Sequence, residues 1–254
     1  MRRLALGILL VTLLAPAIAQ AYIPSPQYGA FELKLGPYKP ALDKSLRGSP
    51  YEEFFGDELM LLTQLELDWQ FLHPPGFSIG VGGSVGFMQE CKKSVLLDEE
   101  GAQTDEESAD YSVLNVIPFA GLLVVRIDAL ADMLDVPLVP FFKIGINWYL
   151  WWILNAGNTD TIETEDNNGE VIDTSKARGG TLGWQVNTGL MFRLDSFDPM
   201  SARTFDNEAG VNHSYLFAEI VWAWVDRFGD DDYINLSTDT FANATIMFGL
   251  ALEF

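Results

Sequence analysis

Leu59-Met60-Leu61-Leu62-Thr63-Gln64-Leu65-Glu66-Leu67-Asp68-Trp69-Gln70-Phe71 decides the fold. Its odd positions read Leu59, Leu61, Thr63, Leu65, Leu67, Trp69 and Phe71; from 64 its even positions read Gln64, Glu66, Asp68 and Gln70. A strand sends successive side chains to opposite faces, so this is a strand with one apolar and one polar face. Phe77 to Met88 repeats the pattern with small residues, setting Phe77, Ile79, Val81, Val85 and Phe87 against Ser78, Gly80, Gly82, Ser84 and Gly86. His73-Pro74-Pro75-Gly76 lies between them and reads as a tight turn, which makes the two segments a hairpin. The glycines Gly80, Gly82, Gly83 and Gly86 are expected on the inner face, leaving room for long neighbours.

Six more strands follow by the same rule: Ala30 to Gly36, Tyr111 to Ile127, Leu138 to Trp152, Thr181 to Leu194, Asn212 to Val225 and Leu236 to Phe254. Tyr111 to Ile127 is apolar on both faces, and only Arg126 hints that its even face is the polar one. Eight strands suffice to close one small barrel. The odd connections, near 37–58, 89–110, 153–180 and 226–235, are longer on average than those at 72–76, 128–137 and 195–211. Asp198-Pro199-Met200-Ser201-Ala202 reads as a short helical turn in the last of these. Long outer loops and short inner turns are the habit of outer-membrane barrels.

The charge supports that sidedness. The chain of 254 residues has 36 acidic and 15 basic side chains, a net −21. Segments 89–110, 153–180, 226–240 and 39–58 carry −6, −4, −4 and −2, in total −16. The acid belongs to the outer loops, and no basic face exists for a nucleic acid. One cysteine, Cys91, forms no internal disulfide and no cysteine-based zinc site.

Alternation alone does not say which face is inside, and a lipocalin-like soluble barrel would turn its apolar rows inward. Three features favour the membrane form. The polar rows carry Glu32, Lys34, Glu66, Asp68, Arg126, Lys143, Arg193 and Glu219 at mid-strand, four acids and four bases. Facing lipid, a lysine or arginine at mid-depth would cost about 2–4 kcal/mol; in a lumen these groups neutralise one another. Trp69 stands at the expected periplasmic end of the apolar rows, and Trp148, Trp152, Trp184, Trp222 and Trp224 toward the outer end, where amphipathic rings prefer the interface. The third feature is that the chain ends on a strand. The fold expected is all-β, an eight-stranded antiparallel transmembrane β-barrel with long acidic outer loops and shorter periplasmic turns.

Residues 1–21 read as a Sec-type secretory signal: Arg2 and Arg3, an apolar run from Leu4 to Leu14, and the small-x-small site Ala19-Gln20-Ala21. Residues 22–254 would then be the barrel.

Gly249-Leu250-Ala251-Leu252-Glu253-Phe254 resembles the C-terminal signal by which bacterial outer-membrane proteins are recognised by the barrel assembly machinery, with Gly249, Leu252 and Phe254 carrying the likeness. It departs at Met247, where that signal usually has a polar residue. More broadly, the chain resembles a group of predicted outer-membrane β-barrel proteins of unknown function from myxobacteria and relatives. The residues behind that resemblance are Phe31 to Tyr38, Tyr51 to Gly56, Leu138 to Phe141 with Lys143 and Gly145, and His213-Ser214-Tyr215. It implies a barrel in the outer membrane of a Gram-negative bacterium and brings no activity with it.

Candidate chemistry is thin. His213, Ser214 and Glu219 could in principle form a hydrolase site like that of outer-membrane lipid A deacylases. His213 and Ser214 have opposite parity on their strand, so their side chains are expected to diverge. Glu163 to Glu170 fails as an EF-hand: aligned on Gly169, it has Thr164 first and Ser175 twelfth. Asn168-Gly169 reads as a hairpin tip. Neither a metal site nor a cofactor is expected. The expected partners are outer-membrane lipid and lipopolysaccharide, with the assembly machinery during biogenesis. The leading expectation is a non-enzymatic surface-binding or envelope-stabilising barrel, its lumen plugged by compensated charges. The alternatives are a narrow channel and a lipid-modifying enzyme.

Overall fold

The computed structural model describes residues 25–45, 51, 58–97, 103–155, 158–159, 161–165, 171–230 and 233–254. The signal segment 1–21, residues 166–170 with the expected hairpin tip, and most of the 46–57 loop lie outside the described residues.

Eight antiparallel strands make the barrel wall, in chain order β1 (Gly29–Tyr38), β2 (Met60–Leu72), β3 (Ser78–Leu97), β4 (Gln103–Arg126), β5 (Leu138–Asn155), β6 (Arg178–Arg193), β7 (His213–Trp224) and β8 (Thr245–Glu253). Each pairs with its sequence neighbours, and β1 pairs with β8 from Ala30↔Glu253 to Leu35↔Phe248. The protein is therefore a closed eight-stranded antiparallel β-barrel, which leaves no sheet edge within the barrel wall.

The barrel is inside-out relative to a soluble one. Glu32, Lys34, Glu66, Asp68, Arg126, Lys143 and Glu219 are buried in the lumen, while Leu33, Leu65, Leu67, Phe142, Ile144, Leu250 and their like are exposed outside. On β4 the even face is inward: Leu114, Val116, Leu122, Val124 and Arg126 are buried, and Phe119, Leu123 and Ile127 are exposed. That settles the strand whose register the sequence left open.

Several elements differ from expectation. Residues 89–110 were expected as a loop, but the β3–β4 ladder continues past the barrel, with Cys91 on Val113 and Leu97 on Gln103. A two-stranded ribbon pairs the backbone groups that face its partner strand and needs no lumen to line. The segment expected as one strand from Leu236 is interrupted. Residues 236–238 already continue the sheet, Leu236 N–H donating to Val225 O at 2.9 Å and Thr238 N–H to Ala223 O at 3.0 Å. Residues 239–244 then make a tight excursion with Ala242 and Asn243 in the left-handed region (φ 50° and 61°), and β8 resumes at Thr245. The expected helical turn near Asp198 is a full helix. A short helix between β4 and β5 was not foreseen.

In chain order the described helices are α1 (Leu42–Ser45), α2 (Ala129–Met133) and α3 (Pro199–Ala209). α3 starts because Asp198 caps it, accepting from Ser201 N–H at 3.1 Å and Ser201 Oγ–H at 2.6 Å, and because Pro199 fits its first turn. It stops at Gly210, whose φ of 70° is the left-handed cap. The β2–β3 turn requires Gly76 (φ 86°), whose carbonyl accepts from Ala129 N–H at 2.8 Å and fastens α2 to the hairpin. Of the four strand glycines expected inside, Gly83 faces outward: a Cβ there would meet nothing within 4 Å, whereas at Gly82 it would lie 2.1 Å from Asp68 Oδ1.

Candidate functional site

The lumen is layered. In the middle lies an ionic network, built because period-two alternation on six different strands sends one charged row inward. Lys34 Nζ lies 2.7 Å from Glu66 and 2.7 Å from Glu219. Lys143 Nζ lies 2.6 Å from Glu32 and 2.5 Å from Glu66. Arg126 reaches Glu32 at 3.0 Å, Asp68 at 2.7 Å and Glu253 at 3.0 Å. Glu253 also accepts from Gln70 Nε2 at 2.6 Å and from Tyr215 Oη at 2.7 Å. All these charged side chains are buried, where removing one member of a pair strands its partner without water.

Seven of the eight sequence-chosen charges meet here. Arg193 does not: it sits at the turn end of the barrel, 2.9 Å from Asp132, with its guanidinium over the Tyr215 ring. Its strand ends there, so its inward side chain lies at the mouth. Glu253 takes its place in the network. The expected balance of four acids and four bases becomes five acids to three bases. Glu253 also stands within the terminal signal, between Leu252 and Phe254. Its signal was parity, since Leu252 and Phe254 point outward. Gln70, Tyr215 and Asn187 were missed as neutral partners.

Apolar layers close the network at both ends. Toward the long loops, Tyr38, Met60, Leu62, Met88, Leu114, Tyr149, Leu236 and Met247 pack in one buried cluster, joined by Tyr51 from the first loop. Tyr38 Oη donates to Leu236 O, locking β1 to the segment before β8. Toward the turns, Val139, Phe141, Met191, Tyr215, Phe217 and Ala251 form a second cluster, with Phe141 edge-on to Phe217. Gly249 makes room for this layer: a Cβ would lie 2.6 Å from the Phe217 ring.

The carboxylate oxygens of Glu32, Glu66 and Asp68 lie within 4.8 Å of one another, close enough to share a cation. Lys143, Lys34 and Arg126 supply that positive charge.

At the turn end, His213 and Ser214 converge rather than diverge. Both bind Asp195, from the turn after β6: His213 Nδ1 at 2.5 Å, Ser214 N–H at 3.2 Å and Ser214 Oγ at 3.1 Å. The turn reaches over the start of β7, so strand parity does not govern contact with it. Partial burial acts to raise the Asp195 carboxyl, but the His213 contact and the Ser214 hydrogen bonds outweigh it and hold the group below its usual value. A nucleophilic serine must give its proton to the histidine. Here each meets the carboxylate instead, and Glu219 belongs to the ionic network.

The outer surface carries the expected tryptophans. Trp69, Trp148 and Trp184 are exposed, while Trp152, Trp222 and Trp224 are partly covered, Trp224 stacking on Trp184 with centroids 4.2 Å apart. Leu252 and Phe254 lie in the same outward rows, and Phe254 exchanges backbone hydrogen bonds with Tyr28 and Gly29. Cys91 is exposed on β3.

No protein-family model matches the chain, and no curated protein matches it. Solved barrels do. Ail, the attachment invasion locus protein of Yersinia pestis, crystallised with a heparin analogue, aligns at TM-score 0.41 and 9% identity over 91% of this chain and 100% of its own. Neisserial surface protein A aligns at 0.41 and 10% over 90% and 97%. A major outer membrane protein from Thermus thermophilus aligns at 0.41 and 14% over 89% and 99%. At these identities the likeness concerns the fold.

Proposed function

We propose that the protein spans the outer membrane as a sealed, non-enzymatic barrel, and that its acidic loops act at the cell surface by binding a partner or stabilising the envelope. The observation that carries this reading is the layering of the lumen, an ionic centre between two packed apolar clusters. So small a barrel is filled by its own side chains, and the filling here serves stability. What remains for function is the loop surface, where most of the net charge of −21 resides. The apolar exterior supports lipid as the surrounding medium. On this reading the terminal strand, with Gly249, Leu252 and Phe254, presents the chain to the assembly machinery, and residues 1–21 direct its export. Lipopolysaccharide phosphates, bridged to loop carboxylates by divalent cations, are a fitting neighbour for the acidic face.

Two measurements test the proposal. Unheated membrane extracts should contain a compact, faster-migrating species that boiling converts to the full-length band; a freely soluble monomer contradicts the membrane placement. Cells lacking the protein should become more permeable to a hydrophobic dye. The wild type should restore the barrier, and a variant with the acids of 103–110 replaced by their amides should not, though it folds equally well. Full restoration by that variant contradicts the loop role.

A further inference from the structure

The two most exposed large apolar side chains among the described residues are Met200 at 80% and Phe197 at 75%, and neither belongs to a strand. Leu134 (65%) and Met133 (59%) are exposed on the other long turn at the same end of the barrel. These turns are not loose. Arg193 holds Asp132 at 2.9 Å, Ala129 N–H donates to Gly76 O at 2.8 Å, and Asp206 of α3 accepts from Ser25 N–H at 3.2 Å. Asp132 and Asp206 are thus tied to the mouth of the barrel, while Phe197 and Met200 are held exposed, with Arg203, Asn207 and Glu208 of α3 exposed as well. Phe197 packs on Phe192, with centroids 5.5 Å apart. Phe192 is in the outward row of β6, between Leu190 and the turn, so the apolar belt of the barrel runs without a break onto the segment before α3.

We propose that the α2 and α3 turns are seated in the interface of the adjacent leaflet, with Met133, Leu134, Phe197 and Met200 inserted among its acyl chains. This rests on the membrane placement of the barrel. Continuity with the lipid-facing belt identifies lipid as the occupant: an aqueous turn gains nothing by holding four large apolar groups outward, whereas an interfacial segment buries them. The two turns would act as a collar that fixes the depth of the barrel.

Spin labelling of the full-length barrel in phosphatidylethanolamine–phosphatidylglycerol vesicles tests this. In a Cys91→Ser background, labels are placed by Met200→Cys and Leu134→Cys, with Leu65→Cys on the mid-belt and Glu58→Cys in the outer loop as references. At 200 and 134 oxygen should relax the label strongly, and a water-soluble nickel chelate several-fold less than at Glu58. Chelate access equal to that at Glu58 overturns the proposal. Labels at 200 and 134 shielded from both reagents also overturn it, since they would report a protein partner on this face. If the Leu65 label also meets the chelate, the membrane placement itself fails.

Discussion

Arg126 Nη1 on β4 stands 3.0 Å from Glu253 Oε1 on β8, joining opposite parts of the wall through the middle of the lumen. The same guanidinium holds Glu32 of β1 and Asp68 of β2, so one side chain braces four strands. Arg126→Met leaves three carboxylates without their shared cation. A loss of about 3–5 kcal/mol follows from stranding buried charges, read as a lower urea midpoint for the folded barrel in lipid. Glu253→Gln, which keeps hydrogen-bonding capacity and leaves Arg126 two carboxylates, should cost less. Equal stability of Arg126→Met and wild type would mean that the network is not structural.

Backbone crowding gives a second contrast. A Cβ at Gly145 would lie 1.9 Å from Gly121 O, a ladder atom that no side chain can move aside. Gly145→Ala should therefore destabilise by about 1–3 kcal/mol, as overpacking does. Gly83→Ala, with nothing within 4 Å, should stay within about 0.5 kcal/mol of wild type. Urea unfolding of the pair in one lipid system checks both.

The Asp195 contacts with His213 and Ser214 have a pH signature. Because the folded carboxyl is held below its ordinary value of 3.8, the unfolded chain binds more protons in acid than the folded one. The stabilisation is therefore complete above that value and is lost as pH falls through the folded pKa. Asp195→Asn should be less stable than wild type at neutral pH, and the gap should close in strong acid. A gap that widens on acidification would contradict the assignment.

Much of this architecture was legible in the sequence because a barrel wall obeys one rule. Glu66 and Asp68 sit two apart, and period two sends both inward, where Glu66 meets Lys34 and Lys143 and Asp68 meets Arg126. Where local rules compete, alternation does not determine the structure. Asp239 to Ala244 interrupts β8 because Ala242 and Asn243 adopt left-handed conformations, which alternation does not encode. Arg193 has the right parity but the wrong depth, and depth follows from strand length and stagger rather than residue pattern. His213 and Ser214 meet through Asp195, a contact made by the preceding turn, to which strand parity is blind.

The central claim, that the lumen is sealed, is tested most directly by conductance across a planar bilayer containing the refolded barrel. The stacked layers from Tyr38 and Leu236 through Arg126 to Phe141 and Phe217 predict a current trace with no discrete openings at either polarity. Reproducible single-channel steps, abolished by boiling the protein before reconstitution, would contradict it.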